Sequence, residues 1–289
     1  MASLSDIRRR IGSVKNTRQI TRAMKLVAGA KLRRATEAAM AARPYSEALT
    51  RVLGRVVEAT GDVEHPLLTV PDNEVDVLVV VMSSDRGLCG AFNGRLCRDI
   101  QGKVDAEIEA GKTVKMLAYG RKGRDYFKKR GYDVVEAHTQ LDPADYTDHA
   151  DRLSARLVED LTGSRFSRAM LAYNSYRSVM VQEPTYTQLL PMSLEDSSAE
   201  DAGASTEYLF EPDGQTLLGS LLPMALRTRI FQAFLETQAG EQASRMTAMD
   251  SATRNASDLI DSLTLEYNRA RQANITKELI EIVSGAEAL

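Results

Sequence analysis

The run Ser84-Asp85-Arg86-Gly87-Leu88-Cys89-Gly90 holds the residue types best suited to chemistry in this chain. It follows a continuous apolar stretch, 75–82, and leads into an amphipathic one from about Cys89 to Ala110. A strand-to-helix junction of that kind is where a doubly wound sheet holds a phosphate on a helix N-terminus. The glycine spacing argues against such a use. Two glycines three residues apart make neither GxGxxG nor GxxxxGK[ST], so the pyrophosphate cradle is incomplete. A tight turn, with Asp85 as a cap and Arg86 paired to an acid, accounts for the same residues. Cys89 near a helix start would favour thiolate, but no histidine stands beside it, and a small buried apolar residue is the better reading. His65, His138 and His149 lie far apart without ligand spacing, which argues against zinc. No pair of acids in the central region stands out as acid and base. No cofactor and no metal are expected.

The second chemical concentration is electrostatic. Residues 1–43 hold eleven Lys and Arg against two acids, Asp6 and Glu37, although the whole chain is slightly acidic, at −3. Such an arm fits a transit peptide, a nucleic-acid contact through Arg8, Arg9, Arg10, Lys15, Arg18, Arg22 and Lys25, or a helix facing acidic protein. The arm lacks aromatic side chains for base stacking, which weakens the nucleic-acid reading. An apolar helical stripe runs through it and past any plausible cleavage site, which disfavours the transit peptide.

The elements that must carry these residues follow from periodicity. Ser3-Leu4-Ser5-Asp6 has the form of a capping box. Behind it Ile7, Ile11, Val14, Thr17, Thr21, Met24 and Ala28 lie on one helical face, turning mostly to alanine by Ala42. Pro44 removes a backbone donor and is a candidate kink. In the middle the period shortens. Strands are expected at 75–82, 114–120, 132–137, 169–176 and 185–190, with helices at 89–110, 121–130 and 146–161. That alternation makes an α/β layer domain. An acidic, serine-rich surface loop is expected at 195–206. After Pro212-Asp213-Gly214 a single helix is expected to the end, roughly 105 Å long at the standard rise. Met246, Met249, Thr253, Ala256, Ile260, Leu263, Tyr267, Ala270 and Asn274 alternate spacings of three and four there, the heptad of a coiled-coil seam. The N-terminal stripe is the natural antiparallel partner. The expected fold is therefore α/β: a long antiparallel two-helix coiled coil from residues 1–60 and 211–289, with a Rossmann-like α/β domain inserted at 73–193. The last turns, Ile275 to Ala286, are apolar on more than one side, which calls for a surrounding sleeve.

Composition agrees with elongated helices: six Phe, no Trp, and abundant Ala, Met, Leu and Arg. No apolar run approaches the ~20 residues that span a bilayer, so direct insertion is not expected. Two cysteines, Cys89 and Cys97, suit a reducing compartment.

At three segments the chain resembles the gamma subunit of F-type ATP synthases: Lys15-Asn16-Thr17-Arg18-Gln19-Ile20-Thr21-Arg22-Ala23-Met24-Lys25, then Ser84-Asp85-Arg86-Gly87-Leu88-Cys89-Gly90, then Ile275-Thr276 through Gly285-Ala286. The runs at 246–253 and 268–273 extend the likeness over nearly the whole length. The resemblance implies a non-catalytic rotor shaft, without cofactor or metal, that couples rotation of a membrane ring of c subunits to ATP synthesis or hydrolysis. Its implied partners are a head of three alpha and three beta subunits, the epsilon subunit and the c ring, with no nucleic acid. It implies contacts with the head by Arg8, Arg9 and Arg10, by Met24 and Lys25 toward an acidic beta loop, and by Arg271 and Gln272 toward another beta loop. Ile275, Leu279, Ile282 and Val283 match a tip turning in an apolar bearing. Ile7, Ile11 and Val14 with Met246, Met249, Ala256, Ile260, Leu263 and Tyr267 form the implied seam. The central domain carries no cysteine-bearing insertion, so thiol control is not expected. No presequence is visible, and a place on the cytoplasmic face of a bacterial inner membrane is implied. Two competing readings are a nucleotide-binding enzyme with a helical dimerisation arm and a coiled-coil tether with a basic nucleic-acid arm.

Overall fold

The computed structural model describes residues 3–60, 65–69, 76–192 and 213–287. The loop expected at 195–206 and Val75 of the first expected strand lie outside the described residues. The chain divides into two compact units, Met1–Gly29 with Arg245–Leu289, and Ala30–Ser244. Helices α1 (Leu4–Thr60) and α5 (Gly214–Glu287) contribute residues to both. Both stay helical through a proline, Pro44 and Pro223.

In the Ala30–Ser244 unit five strands make one sheet in the order β3-β2-β1-β4-β5. They are β1 (Asp76–Met82), β2 (Thr113–Tyr119), β3 (Val134–His138), β4 (Arg168–Tyr176) and β5 (Gln182–Leu190). The first four are parallel, and β5 returns antiparallel to β4. The strands alternate with α2 (Phe92–Glu109), α3 (Arg121–Lys129) and α4 (Tyr146–Thr162). Central β1 is apolar at nearly every position because both of its faces are covered. Val77, Val79 and Val81 pack with Leu96, Ile100 and Val104 of α2 and Phe127 of α3. Leu78, Val80 and Met82 meet Leu153 and Leu157 of α4, and Leu53 of α1 with Leu222, Leu226 and Ile230 of α5 complete that layer.

Where element ends differ from expectation, backbone chemistry explains it. Helix α2 starts at Phe92, not near Cys89, because Leu88 and Gly90 hold left-handed backbone, with φ of 61° and 56°. Strand β5 starts three residues before Thr185 and contains Pro184. Proline is tolerated because β5 is an edge strand, whose outer side needs no donor. Helix α5 opens on a cap: Asp213 accepts hydrogen bonds from Thr216 N at 3.0 Å and Thr216 Oγ1 at 2.8 Å. A Cβ on Gly214 would collide with Thr60 Oγ1, so glycine lets the end of α1 meet the start of α5. Buried Glu236 then ties α5 to β4, accepting from Ser175 Oγ at 2.8 Å and Tyr176 N at 3.2 Å.

Candidate interaction surfaces

In the Met1–Gly29 and Arg245–Leu289 unit, α1 begins on the predicted capping box. Ser3 Oγ accepts Asp6 N at 3.2 Å and donates to the Asp6 carboxylate at 2.8 Å. The two helices of this unit run antiparallel. Thr21 and Thr253 hydroxyls lie 2.8 Å apart, Lys25 Nζ donates to Asp250 Oδ1 at 2.6 Å, and Gly29 faces Met246 Sδ. Ile7, Met249, Ala256, Ile260 and Leu263 are buried, while Ile11, Val14, Met246 and Tyr267 are half-buried. The Lys25 hydrogen bond, with the charge of Lys25 and Arg254, holds the Asp250 carboxyl below the usual carboxylate range.

The register of Lys25 on Asp250 brings the start of α1 level with about residue 271 of α5. Beyond that level α5 extends past the start of α1. From residue 271 to residue 280 every side chain is exposed, including Arg271, Gln272, Ile275, Leu279 and Ile280, and Ile282 and Val283 continue the pattern. Three turns of helix thus show apolar groups to solvent on more than one face, which a free-standing helix does not favour. Arg8, Arg9 and Arg10 are exposed as well. Arg9 pairs with Asp6 within the same turn at 2.7 Å, a surface contact of small worth. Met24 and Lys25 are half-buried, and the Lys25 ammonium is engaged across the seam. Ile20, Leu26 and Val27, exposed on the same arm, had a legible signal: apolar residues off the seam stripe.

The Ser84 to Gly90 loop is closed on itself. Asn93 Oδ1 accepts Ser84 N at 3.0 Å, and Asn93 Nδ2 donates to Ser84 Oγ at 2.7 Å. Asp85 is a cap, as the turn reading required, but it serves α3: Oδ1 accepts Arg121 N at 2.8 Å and Oδ2 accepts Leu141 N at 3.1 Å. Asn93 of α2 and Asp85 thereby take the Ser84 and Arg121 amides at the junction where a phosphate cradle would need open ones. Cys89 is buried, with Asn93 Nδ2 3.2 Å from its sulfur. Cys97 is buried too, and burial raises its thiol to about 12. His138 and His149 come together beside Tyr119, ring centroids 5.8 Å apart. No group of three or more metal-ligating side chains occurs among the described residues.

A family model described as ATP synthase matches residues 3–289. ATP synthase gamma chains from Granulibacter bethesdensis, Paracoccus denitrificans and Desulforamulus reducens are 48%, 46% and 45% identical, each over 100% of both chains. The chain belongs to the ATP synthase gamma chain family. Solved structures share the fold at low identity. A chain of the Euglena gracilis mitochondrial ATP synthase, in its OSCP/F1/c-ring structure, matches with a TM-score of 0.65 at 22% identity, over 99% of this chain and 94% of that one. One from the Tetrahymena thermophila central stalk and c-ring matches at 0.61 and 20% identity, over 81% and 99%. Membership in the gamma chain family gives the two-helix unit and the exposed α5 end their context.

Proposed function

We propose that the chain is the non-catalytic central rotor shaft of a bacterial F-type ATP synthase, coupling proton-driven rotation of a membrane c ring to ATP synthesis in the head, or hydrolysis to pumping. Catalysis belongs to the beta subunits. The observation that carries this reading is the end of α5, where Ile275, Leu279, Ile280, Ile282 and Val283 are all exposed. Apolar surface of that extent needs a cover, and a ring of three alpha and three beta subunits supplies one. Apolar contact suits a turning part because it is non-directional, whereas hydrogen bonds would favour one angle. A single chain inside three equivalent sites presents a different face to each. It biases each site only through differential contact with that site's conformations.

The same reading gives Arg271 and Gln272 a beta-subunit loop as partner, and gives Arg8, Arg9, Arg10, Met24 and Lys25 an acidic one. Residues 1–60 and 211–289 act as the shaft. Residues 73–193 act as the foot that meets epsilon and the c ring. Among the described residues no helix is long and apolar enough to cross a membrane. Attachment at the cytoplasmic face of the inner membrane then runs through protein partners. Copurification with a subunit count tests the assignment, with one copy expected per three alpha and three beta subunits. A probe on the 73–193 region of the immobilised complex should turn during ATP hydrolysis. Micromolar ATP binding by the isolated chain, without assembly, would favour a nucleotide-binding enzyme instead.

A further inference from the structure

Helix α3 carries more positive charge than its fold uses. Residues 121–130 hold six Lys and Arg against one acid, Asp125, which pairs with Arg124 at 2.7 Å. Gly123 and Phe127 are buried, while Arg121, Lys122, Lys128, Lys129 and Arg130 are exposed. Among the described residues Lys122, Lys128 and Lys129 make no ion pair. Lys128 and Lys129 in the last turn suit the helix dipole. Arg121 and Lys122 in the first turn oppose it, so helix stability does not account for them. Arg124 and Lys128, four residues apart, repel each other.

Helix α2 extends the charge. Tyr126 Oη donates to Gln101 Oε1 of α2 at 2.8 Å, which holds the two helices side by side. Arg98, exposed on α2, and Arg130 both lie close enough to Cys97 to act on its thiol.

The composition of this face selects among partners. No large apolar side chain of α3 is exposed, whereas protein–protein contacts are built on an apolar core. Tyr126 is half-buried, with the Arg130 guanidinium 3.6 Å over its ring and Phe127 against it, so no ring is open to stack on a base. A fluid anionic bilayer needs neither feature. Each Lys or Arg held near such a surface strengthens binding roughly fivefold.

We infer that the outer face of α3 is an electrostatic contact for anionic phospholipid headgroups. The inference rests on the reading of residues 73–193 as the foot of the shaft beside the membrane ring, and gives that foot a support besides its protein partners. Headgroups are mobile, so the contact holds the foot near the surface without fixing its angle.

Lysine acetylation, followed residue by residue by mass spectrometry, tests the contact. The isolated full chain is labelled with vesicles of phosphatidylcholine, alone or mixed with phosphatidylglycerol. Labelling of Lys122, Lys128 and Lys129 should slow at least about threefold on the mixed vesicles only, and recover in ~0.5 M salt. Lys15 and Lys25 report separately on the basic arm. Protection confined to the arm, protection by both vesicle types, or protection that survives the salt overturns the inference. Stronger protection by a DNA duplex at equal phosphate concentration would assign the face to nucleic acid and overturn it too. The assembled ATP synthase, reconstituted in the same two lipid compositions, separates this contact from the rotor assignment. The three lysines should label more slowly in the anionic bilayer. Equal rates in both overturn the contact and leave the rotor standing. Failure of the chain to assemble overturns the rotor, and the vesicle result then decides the contact alone.

Discussion

A Cβ at Gly120 would collide with the carbonyl oxygen of Ser83, and the residue's φ of 99° lies where side chains are strained. Gly120→Ala should therefore lose about 3 kcal/mol or more. Gly102→Ala in α2, where nothing lies within 4 Å, should gain up to about 1 kcal/mol. Urea melts of the two variants check the contrast, and equal midpoints would show that the close approach is relaxed in solution. His149 offers a pH test. Burial holds its imidazole below the ordinary value; His138 and Arg152 push the same way, and Asp145 and Asp148 push back. The folded chain thus prefers the neutral ring, while the unfolded chain takes a proton at about 6.5. Its contribution is complete above that pH and falls away as pH drops through 6.5 toward the lower folded value. The urea midpoint should decline between pH 7.5 and 5.5, and less steeply in His149→Gln.

At the scale of elements, the seam carries the sharpest test. Leu263 is 4% exposed and Tyr267 half-buried, so Leu263→Asp with Tyr267→Asp places charge in an apolar interface at a cost of about 3–5 kcal/mol. Removing 284–289 leaves the seam residues in place. Coupling of hydrolysis to proton pumping should suffer more from the first change than from the second, and equal tolerance of both would count against the coiled coil. These elements were legible because pattern and burial agree: β1 is apolar throughout, and Ile260 and Leu263 keep the three-four spacing. Residues that depend on register were not legible. Lys25 and Asp250 are 225 positions apart, and nothing in either helix alone selects the other. The Lys25 ammonium reaches across the seam to Asp250, a pairing that neither helix's own pattern announces. Glu236 was equally hidden, since its partners Ser175 and Tyr176 belong to a strand. Left-handed Leu88 displaced the start of α2 because only glycine advertises that backbone in a sequence.

For the molecule as a whole, the uneven charge is the feature that partners must answer. The chain is net acidic, at −3, yet its first 43 residues hold eleven basic side chains. Arg8, Arg9 and Arg10 project from the turn next to buried Ile7, so they can be altered without entering the seam. The ion pair of Arg9 with Asp6 is largely exposed and worth ~1 kcal/mol at most. Replacing all three by Glu should accordingly leave the isolated chain's helicity nearly unchanged and shift its stability by less than about 1 kcal/mol. Assembly with alpha and beta subunits, or turnover of the assembled complex, should nevertheless fall if the arm faces acidic protein. The deficit should shrink as ionic strength rises from about 0.05 to 0.5 M, because exposed charges are screened within a shorter Debye length. Complex yield and ATP hydrolysis, measured across that range, give the answer. A triple variant that assembles and turns over like the parent at low salt would show that the arm is simply solvated. A variant that loses helicity on its own would place the arginines in the fold rather than at an interface.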